Sequence, residues 1–348
     1  MKKIKINKNV AGVIILVLLI GLTLWTVFKD NDIGAVFNAM LSLKPEWFIV
    51  SAVTAIFFVC AEGLMIWYLL RTINCKSSLL SCFGYSFVGF FFSGITPSSS
   101  GGQPMQLYYM TKDKIKISDS TVALTVVAVL YKAIIVLVGV FIAIFCNSMI
   151  NEYLGGYIYL FYFGLLLNVI VVIVLLLLMI SPNAFRKIMH KCERLLVKMH
   201  ILKPSLNRIR KLTNIAYDYN HAITRFIKNF KAIAVTAFIT LLQRCSLFFI
   251  TYFIYKGMGL NDKDVFLITV LQASIYVAVD LLPLPGSQGI SELMYQTVFG
   301  TIFTGTLLPA SVLITRGISF YLPLIIGVIV TIFFHITRTK RAKKSEQA

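Results

Sequence analysis

Charge is what this 348-residue chain has little of: Asp, Glu, Lys and Arg make up 14% of it, and only 14 residues are acidic. A soluble domain carries about a quarter charged residues, so a water-facing surface is excluded for most of the molecule. Cysteine is scarce too. Cys60, Cys75, Cys82, Cys146, Cys192 and Cys245 show no C-x-x-C spacing, which leaves no zinc ribbon and no disulfide framework to read. There is no His-Glu-x-x-His and no Gly-x-Ser-x-Gly, and no Gly-Lys-Ser/Thr follows the Gly101-Gly102 pair. Metalloprotease, serine-hydrolase and P-loop chemistry therefore have no residues to stand on, and no metal or cofactor is expected. His190, His200, His221 and His335 fall among basic residues and read as interfacial groups.

What the chain does have is apolar length. Hydrophobic residues make up 58% of it and its mean hydropathy is +0.83, more apolar surface than a soluble core needs. Val10–Phe28, Trp47–Leu70, Ser120–Phe145, Tyr157–Ile180, Ala232–Tyr255 and Leu307–His335 each offer the roughly 20 apolar residues that cross a bilayer. The first follows Lys2, Lys3, Lys5 and Lys8 but lacks a small-residue cleavage site, so it reads as a retained helix. Two further apolar regions, Leu79–Tyr109 and Val265–Phe303, are broken by Gly94–Pro104 (GITPSSSGGQP) and Leu281–Glu292 (LLPLPGSQGISE). Such composition does not stay helical. Broken backbone at membrane depth is tolerated only inside protein or beside a wet cavity, and a pair of breaks in corresponding places points to a transporter's binding site.

The basic residues predict the topology. Of the 33 Lys and Arg, the N-terminus carries four, Arg71 and Lys76 two, Lys112, Lys114 and Lys116 three, the 181–231 loop twelve and the tail five. All of these share one side if the six runs cross fully and the two broken regions do not; by the positive-inside rule that side, with both termini, is cytoplasmic. The basic residues track membrane edges and no RNA-binding motif accompanies them, so nucleic acid is not an expected partner. The 181–231 loop, with Ile188, Leu195, Leu196 and Val197 among its cations, reads as surface helices on the anionic inner leaflet.

The expected fold is therefore an all-α polytopic membrane protein, with six full spans and two re-entrant helical hairpins arranged as inverted-topology repeats. It forms one domain over 1–348. Repeat 1 covers about 46–146, the helix 157–180 and the basic loop 181–231 follow, repeat 2 covers about 232–336, and 337–348 is a basic tail. Pro97-x-x-x-Gly101 matches Pro285-x-x-x-Gly289, and each following span carries one cation, Lys132 or Arg316.

Six ionisable residues lie inside apolar segments: Glu62, Lys132, Arg244, Asp280, Glu292 and Arg316. At about 3 kcal/mol each, six unpaired ones would cost ~18 kcal/mol, so they must pair, become neutral or line water. Pairs clamping the repeats together are the plain reading; the repeated placing of Lys132 and Arg316 beside broken hairpins favours a site. Lys132, Arg316, Arg244, Ser98, Ser99, Ser100, Gly101, Gly102, Gln103, Ser287 and Gly289 are the candidate substrate contacts. Glu62, Asp280 and Glu292 are candidates for a cationic head group or for coupling protons. If Pro104–Tyr109 is helical, its N-terminal end at the Ser98–Gly102 run favours an anion such as a lipid phosphate. Gly and Ser that merely let helices pack closely are the alternative.

GITPSSSGGQPMQ, LPLPGSQGISE, the basic central loop and the two-half layout resemble the lysylphosphatidylglycerol synthase transmembrane-region family. This is the flippase-like membrane domain of bacterial multiple peptide resistance factors, found also as stand-alone proteins. The resemblance runs from about Val10 to His335, and TPSSSGGxP is its most specific part. It implies a translocase for a phospholipid or an aminoacyl-phospholipid such as lysyl-phosphatidylglycerol in the bacterial cytoplasmic membrane, with membrane phospholipids as partners. Relatives that carry a soluble C-terminal domain transfer lysine to phosphatidylglycerol; this chain stops at Ala348, so synthase activity is not expected of it. A membrane-embedded lipid-modifying enzyme using Glu62 or Glu292 as base, and an anchor for a separate synthase or glycosyltransferase, are the rival classes. The oligomeric state stays open.

Overall fold

The computed structural model describes residues 33–96, 99–181, 229–282 and 289–346, with scattered positions between 187 and 224. The described helices are α1 (Ile33–Leu41), α2 (Pro45–Thr72), α3 (Leu79–Gly94), α4 (Gly102–Lys112), α5 (Ile117–Phe145), α6 (Asn147–Tyr153), α7 (Ile158–Ile180), α8 (Phe230–Gly257), α9 (Val265–Val279), α10 (Ile290–Phe299), α11 (Leu307–Arg316) and α12 (Leu322–Glu346). A single π turn, Gly317–Tyr321, joins α11 to α12.

Among the described residues five stretches are long and apolar enough to cross a membrane: α2, α5, Gly155–Leu177, α8 and Leu307–Arg338. They coincide with five of the six predicted spans. The sixth, Val10–Phe28, lies outside the described residues, as does most of the 181–231 loop. Side chains such as Leu137, Phe141 and Phe145 on α5, Phe163 and Leu166 on α7, and Ile325 and Ile329 on α12 are exposed, an apolar outer face suited to lipid.

Local chemistry sets where helices begin. Pro45 takes the first turn of α2, where its missing N–H costs nothing. Ser78, Asn229 and Asp264 cap α3, α8 and α9, their side chains accepting from the N–H groups of Ser81, Ala232 and Leu267. Each satisfies a donor that the first turn leaves without an intrahelical partner.

In each broken region a helix stands on either side of the break, α3 and α4 in the first and α9 and α10 in the second. In the first, Tyr85 meets Asp113, Gly89 meets Gln106 and Ser93 meets Ser99, so α3 and α4 run antiparallel and their far ends emerge together. Hydroxyls close the turn: Thr96 Oγ1 donates to the Phe92 carbonyl at 2.6 Å and accepts from the Gly101 N–H at 2.9 Å. Ser99 adopts φ 53, the left-handed region that a non-glycine residue occupies at a cost of roughly 1–3 kcal/mol and that concentrates at functional sites.

Long helix, hairpin, long helix thus occurs in each half, as α2, α3–α4, α5 and as α8, α9–α10, α11–α12. The halves interlock. Helix α2 packs along α8; α3 packs on α12 of the other half, while α9 packs on α5 and α7. The open end of the first hairpin is tied to α12 by charge. Arg338 Nε lies 2.7 Å from Asp113 Oδ1, its Nη2 donates to Ser81 Oγ at 3.2 Å, and Tyr85 donates to Asp113 Oδ2 at 2.6 Å. Phe334, under the Arg338 guanidinium, sits edge-on to Tyr85.

The hairpin arms touch because Gly102 has no side chain: a Cβ there would lie 2.1 Å from Ser93 Oγ and 2.7 Å from the Gly89 carbonyl oxygen. Gly102→Val is expected to destabilise the protein by about 1–3 kcal/mol, the usual cost of overpacking, read as a lowered Tm in detergent. Gly156→Ala, where nothing lies within 4 Å, is the control and should leave the Tm unchanged.

Candidate functional site

Two adjoining cavities, of about 160 Å³ and 430 Å³, lie between the halves; Phe58, Phe90, Ser93, Ser99, Tyr131, Arg244 and Asp280 belong to the walls of both. The smaller faces the second hairpin, with Ser291, Glu292, Thr315 and Arg316 on its wall. The larger faces the first, with Glu62, Ser100, Gly102, Gln103, Gln106 and Lys132. All six ionisable residues predicted from the sequence therefore meet here.

Four of the six form two pairs. Lys132 of α5 binds the Asp280 carboxylate, just past α9, so this pair joins one half to the other. Its surroundings hold it in place. Tyr131 donates to Asp280 Oδ1 at 3.1 Å, and Lys132 also donates to Asn168 Oδ1 at 3.4 Å. Asn168, fully buried in the apolar α7, is itself fixed by donating to the Gly164 carbonyl at 2.9 Å.

The second pair stays within one half. Arg316 Nε lies 2.7 Å from Glu292 Oε1, and its Nη2 donates to Ser291 Oγ. The other carboxylate oxygen, Oε2, accepts from the Gly289 N–H and the Ser291 hydroxyl, both at 2.7 Å. Glu292 so caps the start of α10 while balancing a cation on α11.

Glu62 and Arg244 complete the set. Glu62 Oε1 accepts from Gln106 Nε2 at 2.6 Å, and Gly89 makes room for that amide, since a Cβ at 89 would lie 2.2 Å from Gln106 Nε2. Arg244, 1% exposed, has its guanidinium 3.4 Å from the centre of the Tyr131 ring and 4.9 Å from that of Phe58. Its Nε and Nη2 have no hydrogen-bond partner.

Among the other predicted contacts, Ser99, Ser100, Gly102 and Gln103 line the larger cavity. Gly101 is bonded back to Thr96 and Gly289 caps α10, so both act on the hairpin turns and on neither cavity wall. Ser98 and Ser287 lie outside the described residues. Within the long apolar runs the sequence reading counted only ionisable groups, and at the breaks only the Ser, Gly and Gln of the turns, so Gln106, Tyr131 and Asn168 were missed. A lone Asn in the otherwise apolar run of α7 was a usable signal; the partners of Gln106 and Tyr131 were not, because they depend on which helices cross.

The class is that of a polytopic helical membrane protein with a charge-paired polar cavity between two broken hairpins. The sequence profile of the family described as "Lysylphosphatidylglycerol synthase TM region" matches residues 9–327, and the chain belongs to this family. A comparison with curated proteins finds no match.

Removing one member of a buried pair leaves an uncompensated charge, whereas removing both need not. Lys132→Met is expected to cost about 3–5 kcal/mol of stability, and Lys132→Met with Asp280→Leu to recover most of it. Thermal unfolding of the two variants in detergent checks this.

Proposed function

We propose that the protein is a lipid translocase of the bacterial cytoplasmic membrane, moving a phospholipid or an aminoacyl-phospholipid such as lysyl-phosphatidylglycerol between leaflets. The observation that carries this reading is the polar cavity itself: six paired or buried charges, enclosed between two broken hairpins in a bundle whose outer face is apolar. Family membership supports the same substrate class.

At about 1.5 Å per residue, α3 and α4 reach ~24 Å and ~17 Å, and α9 and α10 ~23 Å and ~15 Å. All fall short of the ~30 Å hydrocarbon core, so both hairpins are re-entrant in this reading. With the basic residues inside, the first enters from the cytoplasm and the second from outside; the halves are inverted repeats, and both termini are cytoplasmic. Alternating exposure of the cavity to the two leaflets carries the head group across while the acyl chains stay in lipid.

In the cavity, Lys132, Arg316 and the amides and hydroxyls of the first hairpin turn meet the phosphate, while Glu62, Asp280 and Glu292 meet a cationic head group or carry protons. Both cations already hold acid partners, so the head group enters by exchanging these pairings. Its charges replace those of the side chains, and no bare ion is left in a low-dielectric site. Such a translocase raises the share of aminoacylated lipid in the outer leaflet and lowers the cell's attraction for cationic antimicrobial peptides. A separate synthase supplies the lipid.

The test is transport by the purified full chain in vesicles, using fluorescent phosphatidylglycerol and lysyl-phosphatidylglycerol and an impermeant quencher. Lys132→Ala and Arg316→Ala, incorporated to wild-type levels, are expected to flip lipid at least tenfold more slowly. Flipping at the wild-type rate by both variants contradicts the assigned phosphate contacts; no flipping by wild type contradicts the translocase.

A further inference from the structure

Three cations line the two cavities, and two are already committed: Lys132 to Asp280, and Arg316 to Glu292. The third is held differently. The guanidinium carbon of Arg244 lies over two aromatic rings, 3.4 Å from the centre of Tyr131 and 4.9 Å from that of Phe58. Cation–π attraction to the rings holds the group and uses none of its N–H donors, which stay available for hydrogen bonds. Nε and Nη2 lie along one edge, their N–H bonds parallel, and together form the fork that meets two oxygens of a carboxylate or phosphate side by side. Both atoms of that fork are buried and have no partner.

A buried donor without an acceptor is costly, and a charged one more so. Among the described residues Arg244 takes part in none of the ion pairs, which join Lys132 to Asp280, Arg316 to Glu292 and Arg338 to Asp113. Glu62 is near enough for the two to interact electrostatically, but it is bonded to Gln106 and forms no ion pair with Arg244. A second orphan belongs to a residue of the same cavity wall. Gln243 spends its Nε2 on the Phe58 carbonyl at 2.8 Å, and its Oε1 is buried with no donor. Gln243, Arg244 and Glu62 all line the larger cavity.

We infer that the Arg244 fork is the docking point for a two-oxygen anion, the phosphodiester of a lipid head group or a free oxyanion, and that Gln243 Oε1 takes an N–H or O–H donor carried beside it. The lipid form of this inference rests on the translocase reading. It adds an order of events: the anion meets Arg244 first, because no existing bond must break, and from there competes for Lys132 and loosens the Lys132–Asp280 link between the halves. The acceptor on Gln243 selects a head group bearing hydroxyl or ammonium over one bearing a quaternary amine.

The full chain in detergent, titrated calorimetrically with dihexanoyl phosphatidylglycerol, dihexanoyl phosphatidylcholine and inorganic phosphate, tests it. Arg244→Lys keeps the charge and loses the fork. It is expected to bind the preferred ligand at least tenfold more weakly, whereas Arg71→Lys, at the far end of α2, should bind as wild type does. Wild type should also bind the glycerol lipid more tightly than the choline lipid. On wild type alone, phosphate and acetate should displace the bound ligand at concentrations where chloride of equal ionic strength does not, a readout that needs no variant to fold. Undiminished binding by Arg244→Lys, or displacement by chloride as effective as by phosphate, overturns the fork. Equal affinity for the two lipids overturns the role of Gln243. If phosphate binds through Arg244 and lipid does not bind at all, the fork stands and the translocase reading falls.

Discussion

Charge inside hydrocarbon must find a partner, and the arrangement between the two halves follows from that requirement. Three acids and three bases sit in segments otherwise built to face lipid or one another. Left to water each would be harmless; in a bilayer none can face outward. The helices place all six on the walls of two adjoining cavities, with neighbouring Tyr, Ser, Asn and Gln side chains as further hydrogen-bond partners. The turn of the first hairpin lies against the larger cavity for a related reason: its carbonyl and amide groups leave the helical ladder and need a polar surround.

The pairs are not equivalent, although Lys132 and Arg316 stand in corresponding places after the two hairpins. Lys132 reaches across to Asp280 of the other half, whereas Arg316 finds Glu292 in its own. A relative movement of the halves must therefore break the first pair and can carry the second along intact. The Arg338–Asp113 pair is a second link between halves, fastening the open end of the first hairpin to α12.

Much of this was legible in the sequence, and the reasons differ by level. Apolar run length is a local property, so five helices long and apolar enough to cross a membrane fall where predicted; Pro, Gly and Ser in apolar surroundings marked where α3 and α9 stop for the same reason. Ionisable residues in apolar runs gave the cavity walls, because burial of charge is improbable anywhere else. Pairing was not legible. That Lys132 meets Asp280, 148 positions away, depends on α9 packing against α5, and no periodicity along the chain encodes which helices cross. The Arg338–Asp113 link escaped because both residues lie at the ends of apolar runs, Asp113 just past α4 and Arg338 where the apolar part of α12 stops, and a charge there needs no special account. Gly102 was read as a ligand contact or a packing residue, and the close approach of Ser93 and Gly89 gives the second reading a definite geometric cause.

The central claim is the proposal that the two hairpins enter the membrane from opposite sides, with the two adjoining cavities between them. Single cysteines in a variant freed of native cysteine, placed at Lys114 and at Asp262 and treated with an impermeant thiol reagent in intact cells, test it most directly. The account predicts labelling at 262 in intact cells and at 114 only after permeabilisation. Labelling of both positions from the same side, or labelling of the 181–231 loop in intact cells, would contradict the topology and the enclosed site with it.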